Sequence, residues 1–452
     1  MNLGEAHIHF IGIGGIGMSG IAEVLVNMGC SVTGSDAAVN SQVERLQALG
    51  VKIKKGHSTE NVPEPCDAVV FSSAVKKNNP ELIQARKRKI PIIQRAEMLA
   101  EIMGLKRGIA IAGTHGKTTT TSMVATMLLS AQLDPTIVIG GRLDLIKSTA
   151  ALGKGEWFVA EADESDGSFL RLSPEIVVVT NIDNDHLDHY HDFKHLMATF
   201  EEFCKKIPFY GVAILCADDP YVSKLALKFD KRQMTYGLNS KARLRGIKLQ
   251  STQEEQKLEV ELDGRVLGEL RLKIPGKHNI LNALAAVAIG LELKLSFEQI
   301  AKGLAQYQGV DRRLQKKGQF KGAVIIDDYG HHPTEVRATL EALRQAYPTE
   351  RLIVAFQPHR YSRTKACWED FLKCFRGADI VGILEIYSAG EKEIRNINSK
   401  RLAKAVVGKN ISYWGDLKNA HKKAKMLLKS NDIFLTLGAG DVWKVGAELL
   451  KS

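Results

Sequence analysis

Residues 108–121 read GIAIAGTHGKTTTT. The stretch Gly108 to Ala112 is small and apolar, with the length of a buried strand. Gly113-Thr114-His115-Gly116 interrupts it. Lys117-Thr118-Thr119 then opens a long helical stretch that carries Met123, Val124, Met127, Leu128 and Ala131 at helical spacing on one side. Strand, glycine-bearing turn and helix form the arrangement in which backbone amides wrap a phosphate chain. In it, Lys117 would reach the β- and γ-phosphates of a nucleotide, and the Thr118 hydroxyl would ligate Mg²⁺. The spelling departs from GxxxxGK[ST], because Ile111 stands where the first glycine belongs. The chemical elements, Gly-Lys-Thr at a helix start, are intact.

The same arrangement occurs nearer the N-terminus. A strand over residues 7–13 runs into GIGGIG, with Gly12, Gly14, Gly15 and Gly17, then a helix over about residues 18–28. A second strand, residues 31–34, leads to Asp36. Glycines here let the backbone approach a diphosphate at a helix N-terminus. On these residues alone a nicotinamide dinucleotide is the default ligand, and a tight turn without a ligand is the plainer reading. Residues 68–72 are a further strand, ending at Ser72, and residues 104–107 read as a linker.

Downstream, residues 157–160, 176–180 and 212–215 are near-continuous apolar runs, as expected of a parallel sheet covered on both faces. Residues 258–274 alternate around Asp263-Gly264, which signals an antiparallel hairpin. A helix follows over about residues 279–293. From Val310 onward, strands at 323–326, 352–356, 380–384 and 433–437 alternate with helical segments. The expected fold class is therefore α/β with three domains: Rossmann-like over 1–106, a P-loop ATPase-like and mostly parallel sheet with an antiparallel hairpin over 107–309, and Rossmann-like again over 310–452.

Acidic and basic clusters fall just after the strands. Glu161-Ala162-Asp163-Glu164-Ser165-Asp166 and Asn181-Ile182-Asp183-Asn184-Asp185-His186-Leu187-Asp188 each follow one. A solvated acidic turn is the usual account of such runs. At the carboxyl ends of parallel strands, though, carboxylates can complete the shell of a nucleotide-bound Mg²⁺. Asp327-Asp328-Tyr329-Gly330-His331-His332 and Pro358-His359-Arg360-Tyr361-Ser362-Arg363 are placed in the same way. Two arginines three apart suit a carboxylate or phosphate, or are simply surface cations.

Composition is globular: 452 residues, 44% hydrophobic and 25% charged, with a net charge of +11. At roughly 100–200 residues per domain this allows two to four domains. The densest basic cluster, Arg86 to Lys89, is short and lacks interleaved aromatics, so nucleic acid is not an expected partner. No apolar run is long enough to span a membrane, and the N-terminus does not read as a signal peptide. The six cysteines are scattered with no CxxC pair, consistent with reduced thiols in a cytoplasmic protein.

GIGGIGMSG, AGTHGKTTTT, EADESDGSF, TNIDNDHLDHY, PGKHNILNALAA, GVDRR, DDYGHHPTEV, PHRYSRT and TLGAGD resemble, in order and over essentially the whole chain, the motifs of the Mur ligase family. That resemblance replaces the nicotinamide reading. It implies that Gly12, Gly14, Gly15, Gly17, Met18, Asp36 and Ser72 hold the UDP of a muramyl nucleotide. It implies an ATP site at Gly113, Thr114, His115, Gly116, Lys117, Thr118, Thr119, Asn279, Asn282, Arg313 and Asp328. Lys117, Glu161 and His186 would be catalytic, with Thr118 and Glu161 on one Mg²⁺ and His186 on a second. His331, Arg360 and Arg363 would bind the amino acid. The implied reaction activates the lactyl carboxylate of UDP-N-acetylmuramate as an acyl phosphate and couples it to L-alanine, with ATP and Mg²⁺ as cofactors. ATP binding would close the third domain onto the second. Lys205 and Lys206 lie where other members carry a carbamylated lysine, and neither is matched to it. Transfer of a muramyl tripeptide to the same UDP-sugar is the nearest alternative activity; a nicotinamide-dependent oxidoreductase or a non-catalytic UDP-sugar sensor would be rivals of another class. Monomer and homodimer are both left open.

Overall fold

Apolar runs become strands wherever helices cover both faces of a sheet. The computed structural model describes residues 3–72, 74–185, 187–408 and 410–452, without the side chains of residues 187 and 188. The first sheet is wholly parallel, with β1 (His7–Ile11), β2 (Ser31–Asp36), β3 (Lys52–Lys55), β4 (Ala68–Phe71) and β5 (Ile92–Gln94) in the order β3-β2-β1-β4-β5. Strand order reverses at β1. The loop after β1 therefore opens into the crevice where doubly wound sheets bind ligands.

The second sheet has ten strands: β6 (Arg107–Ala112), β7 (Thr136–Leu143), β8 (Ser148–Ala151), β9 (Trp157–Glu161), β10 (Ile176–Val179), β11 (Val212–Cys216), β12 (Gln233–Gly237), β13 (Leu244–Ser251), β14 (Gln256–Leu262) and β15 (Arg265–Leu272). Their order is β15-β14-β13-β12-β11-β10-β6-β9-β7-β8. From β7 across to β12 the pairs are parallel, while β7 and β8 form an antiparallel hairpin at one edge. β14 and β15 join through Asp263-Gly264, with φ of 48° and 84°, the backbone that a two-residue hairpin turn requires.

The third sheet is β16 (Gln315–Phe320), β17 (Ala323–Asp328), β18 (Leu352–Phe356), β19 (Ile380–Leu384), β20 (Ile411–Gly415) and β21 (Ile433–Leu437), ordered β16-β17-β21-β18-β19-β20. Only β16 is antiparallel to its neighbour. Both faces are core: Leu352, Val354 and Phe356 pack into one apolar cluster, Ile353 and Ala355 into the other.

The helix after β6, Lys117–Ser130, differs from the one-sided pattern expected of it. Every residue from Thr118 to Leu128 is buried. Three of its hydroxyls bond to the preceding turn: Thr121 donates to the Lys117 carbonyl at 2.9 Å, Ser122 to that of Thr118 at 2.7 Å and Thr126 to that of Ser122 at 2.8 Å.

The chain forms two compact units. One comprises Met1–Ile247, Glu259–Glu269 and Leu281–Tyr307; the other comprises Lys248–Leu258, Leu270–Ile280 and Gln308–Ser452. Within the first unit, the helix Ile16–Asn27 packs on the β7–β8 hairpin. A Cβ added at Gly20 would stand 3.4 Å from Ala150 and 3.6 Å from Val138. Buried Glu23 pairs with Arg45 at 2.6 Å and accepts from the Ser148 hydroxyl at 2.7 Å. No helix among the described residues is long and apolar enough to cross a membrane.

Candidate active site

In the first unit two glycine-bearing loops follow β1 and β6, each leading into a helix. At Gly12 the chain turns with φ 77°, and its N–H donates to the Ser35 carbonyl at 2.8 Å. Asp36, at the end of β2, accepts from the Gly14 N–H at 2.8 Å, and Asn40 donates to the Gly14 carbonyl. A Cβ at Gly14 would lie 2.9 Å from the Asp36 carboxylate, so only glycine fits beneath it. Ser72 lies beside Gly12, and Met18 is buried under the turn. The expected sugar-nucleotide residues thus share one loop region.

The second loop is braced by the segment after β10. Thr114 N–H donates to the Asn181 carbonyl and His115 N–H to the Asn181 side chain, while Thr180 and Asn181 both donate to the His115 carbonyl. The His115 ring meets Asp183 at 2.9 Å, and the Asp183 N–H donates to the Thr114 hydroxyl. Gly113 (φ 126°) and Gly116 (φ 85°) adopt backbone that disfavours side chains. A Cβ on Gly116 would meet the Asn282 amide oxygen at 2.6 Å. Thr119 and Asn282 are buried beside or below the loop.

Lys117 does not point into empty space. Its ammonium donates to both oxygens of buried Glu164, at 2.8 and 2.7 Å, and to the carbonyls of Gly113 and Thr114. Burial alone would push the Lys117 ammonium down; the carboxylates of Glu164, Asp163 and Glu161 outweigh it and hold it above its ordinary value. Burial likewise opposes the charge on Asp163, and Lys117 and Arg95 overcome it, keeping that carboxyl below the usual range. Glu161 ends β9, accepts from the Gly140 N–H at 2.6 Å, and faces the Thr118 hydroxyl at 3.2 Å. Hard oxygen donors so placed fit the demands of Mg²⁺. His186 lies outside the described residues.

The expected residues of the second unit collect after β17 and β18. Asp328 is buried and fully engaged: it accepts from the N–H groups of Leu314 and Gly330, each at 2.8 Å, and from the Thr339 hydroxyl. Burial pushes its carboxyl up to about 6, against the pull of Arg313 and the two N–H groups. Arg313 lies 5.1 Å from the Tyr329 ring centre and 3.8 Å from Glu335. Asn279 donates to the Pro275 carbonyl at 2.7 Å. His331 packs on His359, which stacks on Tyr387. Arg363 reaches the His359 ring at 3.3 Å. Arg360 sits at φ 69°, anchored through its N–H to the Tyr387 carbonyl. Its buried Nε has no hydrogen-bond partner among the described residues.

Four residues were missed in sequence. Glu164 was one carboxylate among several, with nothing to mark it as the partner of Lys117. Gly140 acts through its N–H, which no spelling reveals. Asn181 lies in an acidic stretch whose pattern gives an amide no role. Arg95 gave no signal at all, yet its guanidinium lies against Gly17 and 3.6 Å from Asp163.

Two glycine-bearing strand–turn–helix loops on parallel sheets, the second with a lysine and an acidic strand end, have the architecture of a nucleotide-using enzyme. The chain belongs to the Mur ligase family. Residues 7–107 match the model for the Mur ligase family, catalytic domain, 111–290 the Mur ligase middle domain, and 312–440 the Mur ligase, glutamate ligase domain. The UDP-N-acetylmuramate–L-alanine ligase of Bdellovibrio bacteriovorus is 53% identical, over 100% of this chain and 99% of that one. The protein of the same name from Trichlorobacter lovleyi is 50% identical over 98% of each. Among solved structures, UDP-N-acetylmuramate-alanine ligase MurC from Thermotoga maritima superposes with a TM-score of 0.84 at 31% identity, covering 98% of both chains. A murein peptide ligase from Psychrobacter arcticus shares the fold, with a TM-score of 0.73 at 22% identity. The nicotinamide reading of the first loop is thereby set aside.

Proposed function

We propose that this enzyme joins L-alanine to the lactyl carboxylate of UDP-N-acetylmuramate at the expense of ATP, in the cytoplasmic synthesis of peptidoglycan precursors. The observation that carries it is the pairing of two phosphate loops in one compact unit, with Lys117 on Glu164 and Thr118 on Glu161 only at the second.

A carboxylate and an amine do not condense unaided at neutral pH. The γ-phosphoryl of ATP passes to a lactyl carboxylate oxygen, and ADP leaves. The alanine nitrogen then adds to the carbonyl carbon; the C–O bond to phosphate breaks, and the nitrogen loses a proton. Phosphoryl transfer needs position and charge neutralisation more than covalent help. Lys117 supplies a cation held by the loop that would wrap the phosphates. Thr118 and Glu161 would hold Mg²⁺, which would offset phosphate charge. Arg360, with its unpartnered Nε, together with Arg363 and His331, would receive the amino-acid carboxylate.

Phosphate release tests the reading. It should require UDP-N-acetylmuramate, L-alanine and Mg-ATP together. Release independent of the amino acid sinks it. Lys117→Ala should abolish turnover while leaving UDP-sugar binding nearly intact.

A further inference from the structure

Arg95 opens the helix Arg95–Met103, immediately after β5. Its side chain lies across Gly17, in the first turn after the sugar-nucleotide loop. A Cβ there would stand 3.3 Å from Arg95 Cδ and 3.4 Å from Nη1, so glycine leaves room for the arginine. At its far end, Arg95 Nη2 is 3.6 Å from Asp163 Oδ2. Asp163 adjoins Glu164, the partner of Lys117. One guanidinium therefore spans from the first loop to the acidic turn whose Glu164 partners Lys117 of the second.

The Asp163 contact is loose. At 3.6 Å, with side chains 22% and 44% exposed, it is too long for a hydrogen bond and contributes little to stability. Nor is it needed to hold the two domains of this unit together, since Glu23 with Arg45 and Ser148 makes a tighter set of contacts there. An arginine fork kept on a weak carboxylate partner is ready to exchange it for a better one.

Glu161, Asp163 and Glu164 all face the Lys117 ammonium, so they repel any further carboxylate brought near it. Lys117 is already committed to Glu164. Resting on the function proposed above, we propose that Arg95 binds the substrate's lactyl carboxylate, and that Asp163 occupies that carboxylate's place in the free enzyme. Substrate binding replaces one carboxylate on the guanidinium with another. Asp163 then keeps the Ser165 N–H as its hydrogen-bond partner.

The test is calorimetric titration of the full chain with UDP-N-acetylmuramate and with UDP-N-acetylglucosamine, which has the same diphosphate but no lactyl carboxylate. Arg95→Met keeps the apolar stem. It should weaken the muramyl nucleotide about ten- to a hundredfold, the scale of one charge-assisted hydrogen bond, and leave the glucosamine nucleotide within about twofold. Arg95→Lys should recover part of the loss, and Asp163→Asn should tighten the muramyl nucleotide. In turnover, the Arg95→Met defect should fall on the UDP-sugar KM with the ATP KM unmoved, a split that a folding defect would not produce. Equal weakening of both nucleotides places Arg95 on the diphosphate and overturns the proposal, as does no weakening of either. If the unaltered chain binds neither nucleotide, the functional reading itself fails.

Discussion

In the function proposed above, Glu164 competes with the ATP triphosphate for Lys117. In the free enzyme that carboxylate takes two donations from the ammonium, at 2.8 and 2.7 Å, and is itself almost wholly buried. A hydrogen bond between charged partners contributes about 1.5–3 kcal/mol. This is the scale of the competition that Glu164 offers to ATP. Glu164→Gln keeps the shape and one acceptor oxygen but removes the charge. A neutral acceptor bonds about half as strongly, so about 0.75–1.5 kcal/mol of competition disappears. At about 1.4 kcal/mol per factor of ten, Glu164→Gln should bind ATP roughly three- to tenfold more tightly. The assay is titration with a non-hydrolysable ATP analogue and Mg²⁺, with Lys117→Met and the double variant completing a cycle. Without Lys117 there is nothing to release, so Glu164→Gln should then change affinity little. An unchanged or weaker affinity in the single variant would refute the reasoning, because Glu164 would then be assisting the nucleotide.

The two sterically different glycines make a matched pair. Gly264→Ala meets nothing within 4 Å and should cost only the roughly 1–2 kcal/mol of a positive φ, without affecting kinetics. Gly113→Ala would place a Cβ 2.1 Å from the Thr180 hydroxyl and 3.0 Å from the Asn181 carbonyl; urea unfolding should show a larger loss, and the ATP KM should rise. Asp328 and His278 should titrate with opposite signs. Burial raises Asp328 to about 6, so the folded chain keeps a proton that the unfolded chain gives up near pH 4, and its contribution to stability falls between pH 4 and 6. Relative to Asp328→Asn, the parent should therefore lose up to about 3 kcal/mol over that range in urea titrations. Burial, aided by Arg313, lowers His278 to about 4, so its contribution is lost as pH falls from about 6.5 through 4, and His278→Gln should remove that slope. Arg360→Ala should raise the L-alanine KM about tenfold or more, with the ATP KM nearly constant; equal effects would move Arg360 out of the alanine site.

What could be read from the sequence was local. Gly12 to Gly17 and Gly113 to Thr119 announce themselves because strand, turn and helix are contiguous. The hairpin at Asp263-Gly264 is likewise a matter of neighbours. β16 was missed because Gln315–Phe320 is polar and lies at a sheet edge, where no apolar alternation is required. The β7–β8 hairpin was hidden by Gly140 and Gly141 and by the short, small-residue β8. The helix Lys117–Ser130 looks one-sided in sequence because Thr121 and Thr126 count as polar, and only the fold shows their hydroxyls bonding to the preceding turn. The pairs that build the site span long separations: Lys117 with Glu164, Thr118 with Glu161, Arg95 with Asp163. Only folding chooses among several equivalent carboxylates.

The strand that presents Gly140 to Glu161 continues into the hairpin lying on Gly20 and Glu23. One continuous strand thus links the helix behind the first loop to the acidic strand end that faces Thr118. A bulky group wedged into that packing, as in Gly20→Val, should shift the strand and slow ATP cleavage although Gly20 lies in neither loop. Steady-state kinetics of Gly20→Val check this: an unchanged kcat would mean that the strand absorbs the strain locally.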